Sequence, residues 1–139
     1  VKTDSRALAK VAGFWKALGA KVDVMDPGEH DRVVSLVSHL PHIVAFSLAG
    51  AVPEKTLRYA AEGFKDTTRV ASSDPELWSD IFLTNKAEVV KAARLFKKYY
   101  NSLVAAIVKG DRGRTVKALA SARRKRDAFL RDMHGNKRH

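Results

Sequence analysis

Residues 33–52 hold Val33, Val34, Leu36, Val37, Leu40, Ile43, Val44, Phe46 and Leu48, which leaves little polar surface on any side of a helix. A helix apolar all round belongs at the centre of a bundle. Pro41 falls inside this stretch. Its ring removes one backbone N–H and crowds the carbonyl four residues earlier, so a kink is expected between residues 37 and 41. No run of 18 or more apolar residues occurs, so neither a membrane-spanning helix nor a membrane partner is expected. With 45% hydrophobic residues and 8% aromatics the chain is no disordered tail. Its 139 residues suffice for one domain, or one domain plus a fragment. The absence of cysteine excludes disulfides, thiolate zinc sites and a cysteine nucleophile, and fits a reducing compartment such as the cytoplasm.

Ahead of the apolar stretch, Leu8, Val11, Ala12, Trp15 and Leu18 repeat at spacings of three and four. This predicts a helix from Asp4 or Ser5 to Leu18, stopped at Gly19. Residues 21–25 then alternate polar and apolar before Asp26-Pro27-Gly28, the pattern of a short strand ended by a turn. One helix and one strand make no sheet. Residues 1–26 therefore read as the last unit of an α/β domain whose earlier part is absent, and the start at Val1 rather than a methionine fits a piece of something longer.

From Glu29 the pattern is helical almost to the end. A helical piece is expected over residues 54–61, and a loop or short turns over residues 63–75. Asp74 as N-cap with Pro75 at the first helical position opens a helix through Trp78, Ile81 and Phe82. Asn85 and Glu88 stand at capping-box spacing. They open a helix reaching about Lys109 along Val89, Ala93, Phe96, Tyr100, Leu103 and Ile107. Gly110 and Asp111 mark the break before a last basic helix ending near Arg131 or Met133. Residues 27–139 thus read as an all-α bundle of about five to six helices. Its helices over 29–52 and 85–109 are apolar over more circumference than a monomer covers, so a homodimer is expected.

The net charge is +11, and residues 109–139 carry eleven Lys and Arg against three acids. Such a run is ordinarily a solvated helix face. A basic nucleic-acid-binding module is the alternative, since cations can follow a phosphate backbone, but it gives no reason for the polar clusters upstream, and no nucleic acid partner is expected.

The first of those clusters is His30-Asp31 with His39 and His42 around Pro41. No EF-hand loop, HExxH motif or cysteine supplies further ligands, so no metal is expected. Ser35, Ser38, His39 and His42 nonetheless interrupt an apolar element. Buried polar groups cost free energy unless partnered, and such costs often mark a pocket. The second cluster runs from Gly63 to Pro75 and contains Lys65, Asp66, Thr67, Thr68 and Arg69, with Trp78 just after. A guanidinium fork matched to a carboxylate beside a tryptophan wall suits a small anionic substrate. The alternative is a surface pair of Arg69 with Asp66 or Asp74. No nucleophile elbow, Gly-x-Gly-x-x-Gly fingerprint or P-loop is present.

Taken together, His30-Asp31, Ser38-His39-Leu40-Pro41-His42, the run from Gly63-Phe64-Lys65-Asp66-Thr67-Thr68-Arg69 to Ala71, and Ser73-Asp74-Pro75 with Trp78, Asp80-Ile81 and Asn85 resemble the C-terminal half of prephenate dehydrogenases. The likeness covers about residues 5–110, and the ordered set is far more specific than any member. It implies a homodimeric, NAD-dependent enzyme of tyrosine biosynthesis, with NADP as the alternative cofactor. Such an enzyme oxidises prephenate with loss of carbon dioxide to 4-hydroxyphenylpyruvate; close relatives prefer arogenate, and a non-catalytic regulatory relative is a further reading.

In that family a Rossmann domain precedes an all-helical dimerisation domain. The cofactor loop and the catalytic histidine and serine would then lie before Val1, so this chain alone is expected to be inactive, with no catalytic or cofactor-binding residue of its own. The resemblance implies that Arg69 holds a substrate carboxylate, that His42 lies in the substrate pocket, and that His30 and His39 give pocket structure or polar support. It likewise places Asp66 near the pocket entrance and makes Trp78 a residue reaching in from the partner subunit. The family's glycine run before Phe64 reads Ala60-Ala61-Glu62-Gly63 here.

Overall fold

The structure is a computed structural model that describes residues 3–135; Lys2, Lys137 and Arg138, part of the basic complement, lie outside the described residues. The elements run α1 (Ser5–Ala17), α2 (Pro27–Val34), a π-helical turn (Ser35–His39), α3 (Leu40–Ala51), a 3-10 stretch (Glu54–Tyr59), α4 (Glu62–Thr68), a second 3-10 stretch (Arg69–Ser72), α5 (Pro75–Thr84), α6 (Lys86–Val108) and α7 (Arg112–Gly135). The all-α class is as expected.

Aspartates set the helix starts. Asp4 accepts from the Arg6 N–H at 2.7 Å, Asp26 from Gly28 at 2.8 Å, Asp74 from Glu76 at 2.9 Å and Asp111 from Arg114 at 2.8 Å. Each satisfies a donor that the first turn leaves unpaired. Gly19 at φ 81° and Gly110 at φ 62° follow the ends of α1 and α6 in the left-handed region, where a side chain would be strained.

Three local expectations are corrected. Residues 21–25 form no strand, and no strand exists among the described residues; a strand is held by its ladder, and this segment has no neighbour to pair with. Residues 63–72 are helical rather than a loop. The hydroxyls of Thr67 and Thr68 donate back to the carbonyls of Gly63 and Phe64, both at 2.7 Å, which lets threonines sit inside a helical turn. Asn85 makes no capping bond to α6; its amide is engaged elsewhere.

Where a kink is expected between residues 37 and 41, the helix carries a π turn at Ser35–His39. Pro41 offers no N–H to the carbonyls one turn back, and the Leu40 N–H bonds to the Ser35 carbonyl instead, a five-residue step that inserts an extra residue into the helix. α2, this turn and α3 make one rod, Pro27–Ala51, of 25 residues, long and apolar enough by length and composition to cross a membrane. That corrects the expectation that no segment qualifies, which rested on unbroken apolar runs. Only 11% of its most apolar window is buried inside the chain.

α6 is the hub, packing against α2, the π turn, α3, α5 and α7, while α3 also packs against α4 and Arg69–Ser72. Among the described residues the buried set is Ala45, Val89, Ala92 and Ala106 with Ser35 and His39. Small residues dominate, so the π turn and α6 approach closely. Ser35 donates its hydroxyl to the Arg32 carbonyl at 2.7 Å, which satisfies a polar atom that would otherwise be costly to bury. The chain exposes 11848 Å², whereas a compact monomer of 15.4 kDa exposes about 7,200 Å². Phe96, Tyr100, Ile107, Val108, Phe129 and Met133 all remain uncovered.

His39 is the titratable member of the buried set. Burial, then the neighbouring His42, push its pKa below the ordinary histidine value; Asp31 opposes this and His30 adds to it. As pH falls through the ordinary value, the unfolded chain takes up a proton that the folded chain does not, so stability declines. The loss ends once pH is below the lowered folded value and both states are protonated. We expect the urea midpoint to drop between pH 7.5 and 5.5, and His39→Asn to flatten that dependence. A midpoint that rises on acidification, or a slope that His39→Asn leaves unaltered, contradicts the assignment.

Candidate functional site

The π turn and the first turn of α3 place two imidazoles against α5. The His42 ring lies flat on the Trp78 indole, centroids 3.4 Å apart and planes 18° apart. His39 meets Trp78 edge-on at 6.1 Å and Phe82 at 6.5 Å, and Trp78 and Phe82 lie 5.4 Å apart. Trp78 and Phe82 share a face of α5 because they are four residues apart.

Hydrogen bonds fix the protons. His42 Nδ1 lies 2.9 Å from the Ser38 carbonyl; a carbonyl only accepts, so Nδ1 carries the proton and Nε2 of the neutral ring is left as an acceptor. The Asn85 Nδ2 donates to the Asp31 carbonyl at 2.8 Å, which orients the amide, and lies 3.4 Å from His39 Nδ1. His39 Nδ1 is then the acceptor and Nε2 holds the hydrogen, in agreement with its lowered pKa. The spacing to Glu88 points Asn85 toward capping; its position between α5 and α6, facing back to α2, was the signal for this second use.

The structure brings His39, His42 and Trp78 together, adds Phe82 and Asn85, and leaves the other named residues outside that cluster. Trp78, expected to reach in from a partner, lies on the imidazole of its own chain. His30 is exposed, with Nδ1 3.1 Å from Asp31 Oδ1, and borders a cleft between α1 and residues 22–25. Asp66 and Arg69 are exposed and neither makes an ion pair among the described residues. The surface pairing of Arg69 with Asp66 or Asp74 is therefore not formed, and Asp74 is occupied with capping α5.

Beside the stack runs a groove of about 380 Å³ between α3 and α5, lined by Ile43, Phe46, Ser47, Pro75, Trp78, Ser79 and Phe82. Arg69 and Asp66 do not line it. Arg69–Ser72 packs against α3, the helix that carries His42. No group of three or more His, Cys, Asp or Glu that could hold a metal occurs among the described residues.

Compared with known proteins, residues 26–121 match the family described as prephenate dehydrogenase, dimerization domain. A cyclohexadienyl dehydrogenase of Zymomonas mobilis is 38% identical over 116 residues, covering 78% of this chain and 40% of that protein. A prephenate dehydrogenase of Bacillus subtilis is 42% identical over 95 residues, covering 64% of this chain and 26% of that protein. The solved prephenate dehydrogenase of A. aeolicus, in complex with hydroxyphenyl propionate and NAD+, aligns over 92% of this chain and 47% of its own at 40% identity and a TM-score of 0.83. The arogenate dehydrogenase of Synechocystis aligns over 91% of this chain and 49% of its own, at 25% identity and a TM-score of 0.80. This chain thus spans less than half the length of these relatives. Its helices, its ordered clusters and the match over residues 26–121 agree: the chain belongs to the prephenate dehydrogenase family, within the helical dimerization domain.

Proposed function

We propose that this chain is the dimerisation and substrate-binding part of a cytoplasmic enzyme of tyrosine biosynthesis. The whole protein converts prephenate to 4-hydroxyphenylpyruvate by NAD-dependent oxidative decarboxylation. In this reading residues 1–26 end a nucleotide-binding domain and residues 27–139 form the helical domain. The names of the relatives support the chemistry, and the length they have beyond this chain supports a further domain. The likeness to a cyclohexadienyl and to an arogenate dehydrogenase supports arogenate as a second substrate.

The residues present do not fit a dinucleotide site. Among the described residues no strand exists to form a strand–turn–helix unit around a pyrophosphate, and no hydride-transfer step is assigned to them. Their part is to bind and orient. Loss of carbon dioxide is accelerated by a site that grips the substrate without over-stabilising the carboxylate that must leave. Arg69 gives a planar fork for the retained carboxylate. His42, with Nδ1 turned to the Ser38 carbonyl, offers Nε2 to a substrate hydroxyl, and Trp78 holds that ring in place. Asp66, His30 and His39 act around this pair as entrance and support.

The observation that carries the reading is Arg69: a guanidinium with no ion pair among the described residues, on a turn packed against the helix of His42. The homodimer is supported by the apolar surface the single chain leaves uncovered. In the whole enzyme, Arg69→Ala should raise KM for prephenate by about 10- to 100-fold, the worth of one charge-assisted carboxylate contact, with kcat changed far less. An unaltered KM would remove Arg69 from the substrate site. Sedimentation at micromolar concentration should show a dimer, and a monomer would defeat the interface. Mixed with NAD and prephenate, the isolated chain should form no NADH.

A further inference from the structure

The proposed dehydrogenase function leaves the basic helix α7 without a role. Its substantial packing is against α6 alone, and it continues beyond residue 121, where the family match ends. Between the two helices lies a groove of about 440 Å³ whose lining includes Tyr99 and Ser102 of α6 and Arg114, Lys117, Ser121 and Lys125 of α7. The α7 polar residues recur at spacings of three, four and four, so they share one helix face.

No acidic residue lines this groove. Arg114, Lys117 and Lys125 make no ion pair among the described residues, whereas Arg123, elsewhere on α7, pairs with Asp127 at 3.6 Å. The nearest acid in sequence, Asp111, is occupied in capping α7 through the Arg114 N–H. Three like charges gathered on one face repel one another unless an anion joins them. Lys125 Nζ lies 5.9 Å from the centre of the Tyr99 ring, which puts an aromatic face beside the cations. The volume suits a small molecule. Arg114 to Lys125 spans about 16 Å along the helix, and three cations match a short phosphate chain better than the many phosphates that a duplex footprint engages.

We propose that the groove between α6 and α7 binds a small molecule bearing a polyphosphate chain, with Arg114, Lys117 and Lys125 on the phosphates, Ser102 and Ser121 donating hydroxyl hydrogen bonds, and Tyr99 beside the remainder. The site is separate from the His42–Trp78 cluster and needs neither substrate nor hydride chemistry.

The test is calorimetric titration of the full-length protein, saturated with NAD+ so that any dinucleotide site is filled, with inorganic triphosphate and with ATP at low salt. Binding of triphosphate, weakened about tenfold or more by Lys117→Gln and again by Lys125→Gln with the circular dichroism unchanged, supports the site. If ATP binds more tightly than triphosphate and Tyr99→Leu erases only that difference, the ligand is a nucleotide; equal affinities point to an inorganic polyphosphate, and both keep the proposal. Absence of binding by either probe, affinity that both lysine variants leave unchanged, or binding of a 20-base-pair DNA where triphosphate fails would overturn it.

Discussion

Pro41 withholds one hydrogen-bond donor from a helix otherwise continuous from Pro27 to Ala51, and most of what is distinctive in this chain follows from where that donor is missing. The π turn Ser35–His39 takes up the defect with a five-residue step. One inserted residue turns everything after it by about 100° relative to an unbroken helix. The turn packs against α6 and buries Ser35 and His39, while His39 meets Trp78 and Phe82 of α5 edge-on and His42, three residues on, lies flat on Trp78. The same turn sets the two tautomers oppositely. Asn85 holds His39 with Nδ1 accepting, and the Ser38 carbonyl holds His42 with Nδ1 donating. Two identical side chains three positions apart are in this way held differently: one is buried with Nδ1 accepting, the other is stacked on an indole with Nδ1 donating.

Packing is economical at this junction and sparse elsewhere. The buried apolar residues are Ala45, Val89, Ala92 and Ala106, so the helices are drawn together by small side chains rather than by a large core. The bulky residues of α6 and α7 face outward instead. The fold is therefore a frame that holds a polar cluster accurately and presents an apolar exterior, which is the physical meaning of membership in a family of dimerization domains.

Much of this was legible in the sequence. Asp4, Asp74 and Asp111 announced helix starts or breaks because a short acidic side chain suits the first-turn N–H groups, and Gly19 and Gly110 marked stops. The apolar rod, a disturbance near Pro41 and the grouping of His39 with His42 were readable from spacing and residue type, whereas Trp78, grouped with the Gly63–Pro75 cluster and expected from a partner, was not placed on these rings. What escaped were features in which a residue had two plausible uses. Threonines after Phe64 suggested a loop, yet their hydroxyls can also bond back along a helix; Asn85 had capping spacing, yet its amide spans to α2. Alternation over residues 21–25 looked like a strand, but strands exist only through neighbours, and local pattern says nothing of those. The packing of Arg69–Ser72 onto α3 was equally beyond local pattern, since it depends on the tertiary arrangement.

A chain that leaves so much of its apolar surface to be covered by others does not own its stability. If that cover is a second copy, folding and association become one equilibrium, and mass action enters: protomer concentration then acts as a stabilising ligand does, and dilution as a denaturant does. The melting temperature of such a protein is not a constant of the sequence but a function of how much of it is present.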